Sequence, residues 1–61
     1  MSKKAASIIR ASITAATTLR DVERAKFAIT NAAVTGVIGV GDRVALLGDA
    51  EAREREIIAA A

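Results

Sequence analysis

The chain has 61 residues, 52 % of them apolar, yet 15 are alanine, the branched and aromatic apolar side chains number only 16, and Phe27 is the sole aromatic. A single domain spanning residues 1–61 is the most this length allows, and its core must be thin. With no Cys and no His, disulfides, thiolate chemistry and His- or Cys-ligated metals are excluded, so association is the reinforcement left to so small a domain.

The net charge of +2 conceals an asymmetry. Residues 1–20 carry Lys3, Lys4, Arg10 and Arg20 without an acid, residues 21–48 balance, and residues 49–61 hold four acids against two arginines. Ends of opposite sign favour antiparallel or head-to-tail contact between subunits, and they set orientation more than affinity because exposed ion pairs are weak. The first twenty residues have the basic, acid-free composition of a transit peptide, but Ile8-Ile9 is too short an apolar centre for a secretory signal. A cytoplasmic or virion setting fits the chain better than a secreted one. The longest uncharged run, Phe27 to Gly41, covers 15 residues, fewer than the about 20 that a spanning helix needs, so no membrane span is expected.

From Ser2 to Val34 the composition is helical, rich in alanine and free of glycine and proline, with Ser2 placed as an N-cap. Ile8, Ala15, Val22 and Ile29 recur every seven residues, with Ala11, Thr18, Ala25 and Ala32 three places on, a narrow seam along which helices approach closely. Thr18-Leu-Arg-Asp21 matches a capping box, so this segment is either one long helix or two helices broken near Thr17-Thr18. Its second half, Leu19–Val34, has the clearer apolar face.

Thr35 to Asp49, TGVIGVGDRVALLGD, contains all four glycines. A dinucleotide fingerprint would need glycine where Val44 stands, and a Walker loop would need lysine where Asp42 stands. Gly41-Asp42 suits the centre of a tight turn, which predicts a short β-hairpin with arms Gly36–Val40 and Arg43–Leu47, apolar on both faces. The competing reading continues a helix through Ala32–Leu47, bent at its glycines. After the hairpin, Gly48-Asp49 reads as a turn and N-cap for a short helix over Ala50–Ala61, with its Glu and Arg residues solvated and Ile57 and Ile58 docking. The expected fold is therefore mainly α and oligomeric: a long or broken N-terminal helix, a short apolar β-hairpin and a short C-terminal helix.

The chemistry-bearing residues point away from catalysis. No motif sets Lys3, Lys4 or Lys26 beside a hydroxyl, and Glu51, Glu54 and Glu56 stand among arginines on an expected solvated helix face. A non-enzyme without cofactor or metal is expected, acting as a small structural or assembly subunit. Its partners would be copies of itself or a larger protein assembly, virion components being one such setting. The interface expected from apolar pattern comprises Ile8, Ala15, Val22 and Ile29 on the helix, Val37, Ile38, Val40, Val44, Leu46 and Leu47 on the hairpin, and Ile57 and Ile58. The alternative is sequence-independent, salt-sensitive nucleic-acid binding through Lys3, Lys4, Arg10, Arg20, Arg24 and Lys26, without an aromatic platform for single strands.

Overall fold

Thr18 sets the first helix boundary. Its backbone is extended (φ −129°, ψ 161°) and its hydroxyl accepts from the Asp21 amide at 3.1 Å. In return the Asp21 carboxylate accepts from the amides of Thr18 at 3.2 Å and Thr17 at 3.1 Å. This reciprocal box satisfies amides that a helix start leaves unpaired, and it divides the N-terminal half in two. A computed structural model describes residues 3–61 and contains α1 (Lys3–Ala15), α2 (Leu19–Val34) and α3 (Val40–Ala60). The N-cap expected at Ser2 lies outside the described residues.

Glycine ends α2. Gly36 takes φ +78°, the left-handed region that only glycine enters without strain. Its amide donates to Ala33 O at 3.2 Å and the Val37 amide to Ala32 O at 2.9 Å, the paired bonds of a Schellman stop. Three residues later Gly39, extended at φ −85° and ψ 175°, is the N-cap of α3, and Asp42 lies in that helix's first turn. Glycine is an acceptable cap, and an acid there complements the amide end of the helix dipole.

The hairpin expected over Gly36–Val40 and Arg43–Leu47 is absent, and no strand occurs among the described residues. Gly41 and Asp42 are helical rather than the tip of a turn, and Gly48-Asp49 lies inside α3 instead of separating two elements. Burial gives the reason. A β-ribbon would put Val44 and Leu46 on one face, whereas here Leu46 is wholly buried and Val44 is 62 % exposed. The residues of α3 that enter the core are Leu46 and Ala50, with Leu47 and Ile57 packed beside them, a spacing of one face of a helix. The competing reading was closer in kind, although the helix stops at Val34 and restarts at Val40 rather than bending.

The seven-residue seam does not run through the chain either. Once the capping box turns the backbone, α1 buries Ala6, Ile9 and Ile13, leaving Ile8 and Ala15 exposed, while Val22, Ala25 and Ile29 face inward from α2. The core is completed by Ala16, by Ile38 from the second turn, and by Leu46 and Ala50. No polar or charged residue is buried among the described residues.

Three polar tethers show the helix directions. Arg10 of α1 pairs with Asp49 of α3 at 3.5 Å, and further along Arg53 Nε donates to Ala16 O at 2.9 Å, so α1 and α3 run the same way. Lys26 of α2 pairs with Glu54 at 3.1 Å across the short turn, so α2 runs against α3. The result is an up-down-up bundle in which every helix touches the other two, measuring 36 × 15 × 15 Å on its Cα atoms.

Candidate protein-interaction surface

Eight large apolar side chains among the described residues stay exposed after the bundle closes. Of these eight, only Ile8 belongs to α1; Leu19, Phe27 and Val34 belong to α2, Val37 to the second turn, and Val40, Val44 and Ile58 to α3. Helical periodicity places those of α2 and α3 on one side. At about 100° per residue, Lys26 marks the flank of α2 that faces α3. Leu19 shares that flank, Val34 lies between it and the crest, and Phe27 crowns the crest at mid-helix. On α3 the marker is Glu54; Arg43, Val40, Leu47 and Ile58 share its flank, and Val44 lies toward the crest. Val34, Ile38, Val40 and Arg43 line one groove at the turn end of this side. The α2/α3 side, opposite α1, thus gathers most of the exposed apolar groups, with the Lys26–Glu54 pair and Arg43 among them.

The expected interface residues divide into two sets. Val22, Ile29, Ile38 and Leu46 are enclosed within the bundle, Val22, Ile29 and Leu46 completely. Leu47 and Ile57 are half-buried against the core. Val37, Val40, Val44 and Ile58 lie exposed on the α2/α3 side, while Ile8 and Ala15 are exposed on α1. Sequence reasoning passed over Phe27, 79 % exposed, Val34 at 80 % and Leu19. The signal for Phe27 and Val34 was present in their spacing of seven residues on the polar arc of α2, where large apolar side chains have no partner within the chain.

The six cations of the alternative reading do not form one patch. Arg10 and Lys26 are engaged with Asp49 and Glu54. Lys3 and Lys4 start α1, and Arg20 and Arg24 start α2. These two pairs sit at opposite ends of α1, about 20 Å of helix apart. No group of three or more His, Cys, Asp or Glu among the described residues could hold a metal ion, and no helix among them is long and apolar enough to cross a membrane.

The hydroxyls of Ser12, Thr14, Thr30 and Thr35 each donate to the carbonyl four residues earlier, at 3.2, 3.1, 3.1 and 2.9 Å. The Asp21 carboxyl has a shifted pKa. It is held below its ordinary value first by the Thr17 amide and next by the Thr18 hydroxyl, which makes it a structural cap rather than an acid poised to give up a proton near neutrality.

These features define a three-helix bundle whose α2/α3 side exposes several large apolar side chains interspersed with charged ones. No family model, no curated protein and no solved structure matches the chain.

Proposed function

We propose that this chain is a non-enzymatic structural subunit that works by self-association, using the α2/α3 side as its contact surface. The observation carrying this reading is that seven of the eight exposed large apolar side chains fall on α2, α3 and the turn between them. Burying these side chains on a neighbour removes apolar area from water, stabilising by roughly 25 cal/mol per Å², and clustered exposed apolar groups mark interaction sites. The thin alanine-rich core supports the same reading, since a small domain gains from a second layer.

Size-exclusion chromatography with light scattering, run from micromolar to millimolar chain, tests it. The expected result is a mass above 6.3 kDa that changes little with moderate salt. A single monomeric mass over the whole range overturns the reading.

A further inference from the structure

The end of the rod that carries the α2/α3 turn differs in charge from the rest. Arg10 meets Asp49 and Arg53 meets Ala16, contacts that hold α1 and α3 at sequence offsets of 39 and 37 residues. Both helices rise about 1.5 Å per residue in the same direction, so Lys3 and Lys4 stand at the first turn of α3, where Arg43 also lies. All three cations are exposed, and none has an ion-pair partner among the described residues. Acids are scarce here: none precedes Asp21, and none lies between Glu23 and Asp42.

The same end is tipped with valine. Val34 closes α2, Val40 opens α3, and Val37 stands between them in the turn, all three exposed. Val34, Val40 and Arg43 line one groove, which lets the Arg43 stem lie along apolar surface while its guanidinium reaches outward.

The turn also keeps its amides bonded within the chain. The Thr35 amide donates to Asn31 O at 3.0 Å, Gly36 to Ala33 O at 3.2 Å, and Val37 and Ile38 both to Ala32 O, at 2.9 and 3.3 Å. The Thr35 hydroxyl donates to Asn31 O at 2.9 Å. Irregular backbone enters a water-poor medium at high cost unless its polar groups are bonded internally. A nucleic-acid or protein partner imposes no such condition, whereas an acyl-chain boundary does.

We propose that this end docks on the surface of an anionic lipid bilayer, with Val34, Val37 and Val40 entering the boundary between headgroups and acyl chains and Lys3, Lys4 and Arg43 held at the level of the phosphates. Apolar burial and the attraction of cations to acidic lipids add in such a contact. The entry is shallow, about 5–10 Å, which suits a turn at the end of a rod and needs no spanning helix. The docking does not depend on self-association, because Leu19, Phe27 and Ile58 lie away from this end.

Flotation of the full chain with phosphatidylcholine vesicles, with and without phosphatidylserine, tests it. Binding is expected only where phosphatidylserine is present, and it should weaken as salt rises. Lys3→Ala, Lys4→Ala and Arg43→Ala should each weaken it about fivefold. Val34→Ser with Val40→Ser should weaken it severalfold at unchanged helix content by far-UV circular dichroism. Depth is read separately, since the chain has no Cys: a polarity-sensitive dye on Val37→Cys should shift to the blue on phosphatidylserine vesicles, and the same dye on Ala59→Cys, near the far end of α3, should not. Absent flotation, equal flotation on both vesicles, indifference to the valine changes, or equal dye shifts at the two positions overturns the docking. Retention of duplex DNA instead of vesicles by the same three cations overturns it in favour of nucleic acid. Light scattering without lipid keeps the two readings apart: a monomer that floats overturns self-association alone, and an oligomer that ignores the vesicles overturns the docking alone.

Discussion

Thr18 and Asp21 hold the corner between α1 and α2 with three hydrogen bonds: the Asp21 carboxylate accepts from the amides of Thr17 and Thr18, and the Thr18 hydroxyl accepts from the Asp21 amide. Thr18→Ala should lower stability by about 1 kcal/mol, the usual effect of losing an N-cap side chain, measured by urea unfolding. Asp21 adds a pH dependence of known sign. Its folded pKa lies below its ordinary 3.8, so the folded state binds the proton less readily than the unfolded chain. Its contribution is complete above the unfolded value and is lost as the pH falls through the folded one. Acid titration of the melting temperature should therefore show a decline beginning in the ordinary carboxylate range, and Asp21→Asn should remove that part of the slope. An unchanged slope in Asp21→Asn would assign the decline to other carboxyls. Gly36 is the other decisive residue, since φ +78° costs an alanine roughly 1–2 kcal/mol; Gly36→Ala should destabilise by that amount.

At the scale of elements, α3 contrasts with its neighbours. It has two glycines within its span, and neither Gly41 nor Gly48 has any neighbouring atom within 4 Å of the place a Cβ would occupy. Gly48→Ala should accordingly stabilise the fold by up to about 1 kcal/mol through helix propensity alone, visible as a higher melting temperature. Weak local preference here is overcome by burial: Leu46 and Ala50, both fully enclosed, anchor the helix to α1 and α2. Leu46→Ala should cost about 2–5 kcal/mol, whereas Val44→Ser on the exposed flank should leave the unfolding free energy of the single bundle within about 0.5 kcal/mol. A hairpin would have made those two positions equivalent, so the pair of substitutions discriminates between the two architectures in solution. The Arg53 bond to Ala16 O at 2.9 Å adds a tether where the last turn of α1 has run out of amide partners.

For the whole molecule, the rod divides its apolar residues between a small core and one long side. The core uses Ile9, Ile13, Val22, Ile29, Ile38 and Leu46, with alanines filling the closest approaches. Alanine at those approaches brings helices near one another but removes little surface from water, and so the remaining large groups lie outside. Phe27→Ser removes the largest of them without touching the core. It should leave the helix content unchanged while shifting the mass distribution toward monomer, and a mass distribution unaltered by this change would place the contact elsewhere on the rod.

What could be read from residues alone was the local grammar. Thr18-Leu-Arg-Asp21 announced the start of α2, the interval Leu19–Val34 carried its length and apolar face, and the missing Cys and His closed off disulfide and imidazole chemistry. Those features are settled by bonds and spacings within a few residues. The fate of Thr35–Asp49 was not settled there, because glycine and β-branched residues serve a tight strand turn and a helix stop followed by a helix start equally well. Gly36 became a C-terminal stop and Gly39 an N-cap only because Leu46 and Ala50 could then reach a core built by α1 and α2. The division of the apolar residues between core and exposed side has the same origin. Identical side chains such as Val22 and Val44 are told apart by which flank the neighbouring helices cover, and that is a property of the three helices together.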